Sequence, residues 1–387
     1  MTEEFIGFLR AEGGVGVRNY VAVISAIDSL NPIAAKIVDL VKGTVLITDL
    51  FGRKLAGVNH AVRIRSLAGM ALNPNVGAVL VVSLHMPSAL TVAEPISAAG
   101  KDVEIVAFQD CGSTIKAIEE GMRIAVKMVK KCSAQRRQPV PVSNLILGVE
   151  CGGSDFSSGI SGNPAIGAAA DRLMDQGGTV ILSETPEIIG AEHILARRAV
   201  NQAVGDKLLQ CVKEIEALAK ATGFEDVRAS NPSADNKKGG LTTLAEKSLG
   251  AILKGGSKPL QGVLDYSQRP EGAHGFYFMT TPAPACESLT GLAAGGAQLI
   301  VFNTGLGNPI ANPVTPTIKV TGNPFTYAKC SDDIDVGVTD IIMLGMSVKE
   351  GGEKIYEEML NVANGKKTFS EILGITQSTI RVLGPSV

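Results

Sequence analysis

A chain of 387 residues is too long for one small core and long enough for two domains. Apolar residues make up 45% of it, aromatics only 4%, and tryptophan is absent, so its interior must rest on Val, Ile, Leu and Ala, a composition suited to buried parallel strands. The formal net charge is -2 with no long run of one sign, which leaves no electrostatic footprint for nucleic acid or an anionic membrane, and neither is expected as a partner.

The opening "MTEEFIGFLR" is acidic rather than signal-like, and the longest apolar run, "VGAVLVVSL", is about half of what a bilayer needs. A cytoplasmic protein without membrane contact is expected. Cys111, Cys132, Cys151, Cys211, Cys286 and Cys330 form no CxxC pair, so they read as reduced thiols rather than a disulfide framework or a zinc knuckle.

Apolar runs predict strands over 21–27, 43–49, 76–84 and 102–108, with helical patterns at 31–42 and 111–131 between and after them. This is a βαβ rhythm. The polar segment 132–143 carries two prolines and interrupts it, which predicts an N-terminal α/β domain over 1–135 and a C-terminal one over 136–387. The rhythm resumes with strands at 144–150, 177–184, 260–266, 297–303 and 316–322, and a long helical passage fills 190–222. The expected fold is α/β, two Rossmann-like parallel-sheet domains around a shared cleft.

The strand at 144–150 delivers Glu150 and Cys151 at its carboxyl end, where open α/β sheets place ligands. In "GVECGGSDFSSGISGNPAIG" (148–167), Asn163 and Pro164 read as an N-cap and first helical residue, so free N–H groups would welcome an anion beside Ser154, Ser157, Ser158 and Ser161. Glu150 and Asp155 can bind a cation or move a proton there; a turn rich in glycine and capping residues fits the stretch equally well. "TVILSETPEIIGAEH" (179–193) repeats the logic, with Glu184 at the strand end, Thr185 and Pro186 as cap and first helical residue, and Glu192 and His193 on the helix. Neighbours on a helix face different ways, so at most one of the last two points into a site, and a lone helical histidine is more often structural.

In "SNPSADNKKGGLTTLAEKSLG" (230–250) a helix is expected from about Thr242, and the lysines are either solvated or neutralise a substrate carboxylate. Lys237 or Lys238 can act as a base only if burial lowers its pKa. The loop at 302–323 offers Thr304, Asn308, Asn312 and Lys319 as a third wall; its glycines resemble a dinucleotide loop only superficially, because no helix is expected after them, so nicotinamide is disfavoured. Arg18 and Asn19, at the "GVRN" turn, can clamp a carboxylate with parallel N–H groups or form an interdomain ion pair.

Five blocks, "GFLRAEGGVGVRNYVAVI", "ECGGSDFSSGISGNPAIG", "SETPEIIGAEHILARRA", "SNPSADNKKGGLTTLAEKSLG" and "NTGLGNPIANPVTPTIKVTGN", resemble in order the altronate and galactarate dehydratase family, which includes sulfo-lyases. The resemblance covers nearly the whole chain. It implies a lyase that takes a proton from C2 of a small 2-hydroxy carboxylate, expels a group from C3 and yields a 2-keto acid. Such a step needs a base at C2, positive charge or a metal at the developing enolate, and a proton or cation at the leaving group. Glu150, Cys151, Asp155, Glu184, His193 and Lys238 are the expected catalytic residues; Arg18, Asn19, Ser154, Ser158, Asn163, Thr304, Asn308, Asn312 and Lys319 are expected to bind substrate.

A divalent metal, Fe2+ or Mg2+/Mn2+, is expected on Glu150, Cys151 and Glu184. The resemblance also implies a small N-terminal module, fused or separate, and because the sequence opens directly at the "GFLR" block a separate small subunit is expected; an oligomer is expected as well. The pattern departs from the sugar-acid dehydratases at "ITDLFGRKLAG" and "VSLHMPS", where Phe51 and Met86 stand in place of cysteines, leaving Cys151 alone of three. A cysteine-ligated iron or iron-sulfur site is thereby in doubt, with His85 either a replacement ligand or held by backbone hydrogen bonds. Those departures and the "GFYFMTTPAPACESLT" and "SDDIDVGV" blocks rank sulfo-lyase-like elimination first and sugar-acid dehydration second. A noncatalytic paralogue that binds a hydroxy acid, or serves as a scaffold, is the alternative of another class.

Overall fold

The computed structural model describes residues 3–51, 55, 57–221, 223, 226–272 and 274–382. The chain opens with an antiparallel pair, β1 (Glu4–Leu9) and β2 (Val15–Gly16). It then builds a parallel sheet from β3 (Tyr20–Ser25), β4 (Thr44–Ile47), β5 (Val76–Ser83) and β6 (Val103–Ala107), in the spatial order β4-β3-β5-β6. Side chains alternate across these strands. Val21, Val23, Leu80 and Val82 therefore pack under the helices Asn31–Leu40 and Thr114–Ser133, while Ala22, Ile24, Val79 and Val81 pack under Gly57–Ala71 and Met86–Ala98. With both faces covered, the strands can be continuously apolar, as the sequence predicts.

The polar stretch expected to separate two domains holds a further strand, β7 (Gln138–Pro141), which pairs antiparallel with β1 in the register Phe5↔Val140. Pro139 and Pro141 are tolerated because β7 is an edge strand whose missing N–H groups need no partner.

The rest of the chain forms a wholly parallel sheet from β8 (Ile146–Cys151), β9 (Thr179–Leu182), β10 (Leu260–Leu264), β11 (Gly275–Met279), β12 (Leu299–Asn303), β13 (Thr317–Thr321) and β14 (Val336–Gly337). Their order is β10-β11-β9-β8-β12-β13-β14. The fold is thus α/β with two parallel sheets. After β8 the chain moves to one side through β9, and later returns to the other side at β12. That reversal opens a crevice beyond the carboxyl ends of β8 and β12. The long helical passage is two helices, Glu192–Arg197 and Gln202–Ala221, broken where Ala199 bridges to Leu260. No helix of the described residues is long and apolar enough to cross a membrane.

The sequence suggested a substrate clamp at Arg18, but its guanidinium is buried and already holds a carboxylate of the protein, Glu371, at 2.7 and 2.9 Å. Its remaining donors reach the carbonyls of Val17, Val362 and Lys366, and Tyr20 also donates to Glu371 at 2.6 Å. Asn19 accepts from Arg10 and donates to the Cys132 carbonyl, both at 2.8 Å. This knot ties the first sheet to the C-terminal helix Phe369–Leu373. Glu371→Ala strands a buried guanidinium, so urea unfolding should show a loss of about 3–5 kcal/mol.

Candidate active site

A cleft of about 770 Å3 opens at the carboxyl ends of β8, β9 and β12. All of its described lining residues fall between Cys151 and Pro309, in the part of the chain that builds the larger sheet. The loops after β8 and β12 are laced together, with Gly152 donating to Asn303, and Gly305 and Leu306 donating to Gly153, at 2.9–3.1 Å. Gly153 has φ +69°, and a Cβ on Gly152 would stand 2.6 Å from the Phe302 ring, so glycine is required twice where the floor turns.

Ser157 and Ser158 of the serine-rich stretch are engaged by the protein itself. One oxygen of the buried Asp155 accepts from the Ser157 hydroxyl at 2.6 Å and from the Ser158 N–H and hydroxyl at 3.2 Å, and the other accepts from Asn323 at 2.6 Å. Asp155 thereby places the protein's own anion at the start of a π-helical turn, Ser158–Gly162, that runs straight into the helix Asn163–Asp175. Asn163 is therefore inside continuous helix and caps nothing; its side chain accepts from Asn303 at 2.7 Å. The expected anion site at Asn163 and Ser158 is corrected accordingly. A Cβ on Gly305 would lie 2.0 Å from Asp155, whose carboxylate is pinned by these bonds. Gly305→Ala should lower the unfolding free energy by about 1–3 kcal/mol in denaturant titration.

Cys151 and Glu184 on the cleft floor belong to a polar cluster that continues, buried, behind it. Glu184 accepts from the Cys151 N–H at 3.1 Å and from its thiol at 3.4 Å. Lys254 donates to the Cys151 sulfur at 2.6 Å and stands 3.5 Å from the same Glu184 oxygen, with 0% of its side chain exposed. Lys254 comes from the turn Ile252–Gly255, brought against the helix Asn163–Asp175 because Gly167 has no Cβ: one there would stand 2.1 Å from the Leu253 carbonyl. Glu184 begins the turn Thr185–Ile188 in place of the expected Thr185, and sits at φ +73°, a region that costs a non-glycine residue energy and needs surroundings that enforce it. Thr281 supplies part of that constraint by accepting the Glu184 N–H at 2.7 Å.

Burial raises the Glu184 carboxyl to about 7, with Lys254 restraining the rise and Glu187 adding to it. Burial and the Glu184 charge push the Cys151 thiol up to about 12, so it is uncharged at neutral pH. Burial disfavours charge on Lys254 as well, but Cys151, Glu184 and Glu150 outweigh that and keep it an ammonium. Glu150 lies fully buried, and neither of its oxygens has a hydrogen-bond partner among the described residues. Burial and then the Glu184 charge raise its carboxyl well above the usual range.

One wall is a strap over residues 231–240. Lys247 donates to Glu187, Asn231 and Asn236 at 2.9, 2.9 and 3.2 Å, and Asn236 donates to the Ser154 carbonyl at 2.8 Å. Lys238 lines the cleft and is exposed, at the end of the helix Ala234–Lys238. From the loop after β12 Asn308 lines the cleft, while Thr304, outside the lining, accepts from the Gly307 N–H at 3.0 Å. Asn312 is buried and accepts from Val314 and Thr315. Lys319 is also buried, bonded to the Ile310 carbonyl 4.4 Å over the Phe302 ring, and burial lowers its pKa to about 8. The chain crosses 304–316 without a helix.

Of the residues singled out from the sequence, Cys151, Ser154, Glu184, Lys238 and Asn308 meet in the cleft. Glu150, Asp155, Ser158, Arg18, Asn19, Asn163, Thr304, Asn312 and Lys319 do not line it, and His193 is exposed on the helix Glu192–Arg197, outside the lining. Lys254, Lys247 and Glu187 were missed. The visible signal for Lys254 is a lone charge in the apolar run "LGAILKGG".

Among the described residues no three His, Cys, Asp or Glu side chains converge as metal ligands, and the Lys254 ammonium already stands against both Cys151 and Glu184. The expected set of Glu150, Cys151 and Glu184 does not fit a metal as arranged. His85 accepts the Ser88 N–H at 3.1 Å on its Nδ1 and caps the helix Met86–Ala98. Gly52, Arg53 and Lys54 of the "FGRK" departure lie outside the described residues.

The family profile D-galactarate/altronate dehydratase, C-terminal, matches residues 142–386, and the profile D-galactarate dehydratase/altronate hydrolase, second domain, matches 7–133. The (2R)-sulfolactate sulfo-lyase subunit beta of Chromohalobacter salexigens is 36% identical, over 96% of this chain and 95% of its own. Altronate dehydratase of Escherichia coli is 32% identical over 94% of this chain and 74% of its own, and galactarate dehydratase (L-threo-forming) of Escherichia coli is 31% identical over 99% and 77%.

Proposed function

This chain belongs to the D-galactarate/altronate dehydratase family and is a lyase, and we propose that it acts as the large subunit of a (2R)-sulfolactate sulfo-lyase-like enzyme, releasing sulfite and pyruvate. The observation that carries the chemistry is the Glu184 carboxyl held between Lys254 and Cys151 on the floor of the cleft. Glu184 takes the C2 proton, having a pKa near the operating pH as a general base requires. Lys254, buried behind Glu184 and outside the lining, offsets from there the negative charge that develops as that proton leaves. The C3–S bond breaks with its electron pair going to sulfite, and the C2–C3 double bond forms. The resulting enol moves its hydroxyl proton to solvent and gains one at C3, giving pyruvate. The Cys151 thiol, uncharged beside Lys254, keeps the ammonium aimed at this point.

A small subunit supplied by a separate chain is part of this proposal, supported by the subunit naming of the Chromohalobacter relative. One observation favours a second reading: about 770 Å3 is more room than a three-carbon acid needs, so a six-carbon sugar acid losing water also fits. Co-expression with the small subunit, followed by assays with and without added Fe2+, Mg2+ or Mn2+, separates them. Sulfite from sulfolactate supports the first reading, and a 2-keto acid from altronate or galactarate without sulfite release supports the second. No turnover of any of the three overturns both in favour of a binding or scaffold role.

A further inference from the structure

Three lysines stand at this site, and two are committed. Lys254 is locked to Cys151 and Glu184 on the floor. An ammonium has three N–H donors, and Lys247 spends its three on Glu187, Asn231 and Asn236. Lys238 lines the same cleft, and its ammonium makes no hydrogen bond or ion pair with any described residue. Asp235, one helical turn earlier, also lines the cleft, and no ion pair joins the two.

The backbone that carries Lys238 is nonetheless fixed on both sides. Asn236 is tied to the Ser154 carbonyl at 2.8 Å, and the Gly239 carbonyl accepts from the Phe156 N–H at 2.9 Å. Gly239 also packs so tightly that a Cβ would lie 2.9 Å from the Cβ of Asp155. The β8 loop that holds the reaction floor therefore also positions the strap and its unpaired cation.

We propose that Lys238 is the specificity-determining residue of the cleft, meeting an acidic substituent beyond C2 and so selecting dianionic 2-hydroxy acids. This rests on the elimination reading. Glu184 and Lys238 line the same cleft, Lys238 on the strap and exposed, so with C2 at Glu184 this proposal sets the C3 substituent toward Lys238. A sulfonate is charged before the reaction and gains further charge as its bond to carbon breaks, so a cation there stabilises both states and the second more. A hydroxyl leaving group has no charge for Lys238 to select.

The test uses the full chain with its small subunit and two unreactive probes that differ only in the acidic group, 3-sulfopropanoate and propanoate, titrated by calorimetry. The wild type should bind 3-sulfopropanoate about fivefold more tightly, the range for an exposed ion pair. Lys238→Gln should erase that preference, Lys238→Arg should keep it, and added salt should shrink it in the wild type. Equal binding of the two probes by the wild type, or an undiminished preference in Lys238→Gln, overturns the assignment. Failure of the elimination reading has a different signature: the probe preference persists and depends on Lys238, yet sulfolactate gives no keto acid.

Discussion

Glu184→Gln is expected to lower kcat/KM by about two to four orders of magnitude, the usual contribution of a positioned general base. Glutamine keeps a side-chain oxygen that can accept the Cys151 N–H, so the strand end is preserved while the base is lost. The wild-type pH profile carries a second signature. Burial raises the carboxyl to about 7, and only its ionised form accepts the C2 proton, so activity should fall about tenfold per pH unit below 7 and level off above it. In Glu184→Gln this limb should vanish from whatever rate remains. A limb of the same midpoint in the variant would assign the titration to another group.

Lys254→Met is the second large effect, expected at about two to three orders of magnitude in kcat, as for removal of a preorganised charge from a transition state. It should also move a titration. Lys254 pulls the Glu184 pKa down against burial, so removing it should shift the ascending limb to higher pH. The sign is what distinguishes the roles: were Lys254 only a packing element, kcat could fall but the limb would stay near 7. The variant also leaves a buried carboxyl and thiol without their cation, so its folding should be checked by near-UV circular dichroism before rates are compared.

How much of this was legible follows from how local each signal is. β5 reads directly from "VGAVLVVS" because both of its faces are buried, and no partner is needed to recognise such a run. β11, "GFYFM", escaped the strand reading because only residues 265–274 separate it from its parallel neighbour β10, fewer than the crossover such a pair usually needs. Glu150, Cys151 and Glu184 were visible as polar residues ending apolar strands. Lys254 was not, since its value comes from contact with Cys151, 103 positions away in the chain. The same distance effect hid the partner of Arg18, Glu371, 353 positions on. Asn163 followed by Pro164 has the chemistry of a helix start, but the π-helical turn before it carries the helix through, and only tertiary packing decides that. His193 failed for a related reason: helix spacing gives relative faces, while the docking of Glu192–Arg197 turned this one to solvent.

The proposed removal of the C2 proton of a sulfonated 2-hydroxy acid by Glu184 takes place at the carboxyl end of the larger sheet. Its most direct measurement follows sulfite and pyruvate from (2R)-sulfolactate, side by side for the wild type and Glu184→Gln, each with the small subunit. Equimolar products from the wild type and at least about 100-fold slower release from a variant of unchanged melting temperature are expected. Equal rates from the two proteins would contradict the claim.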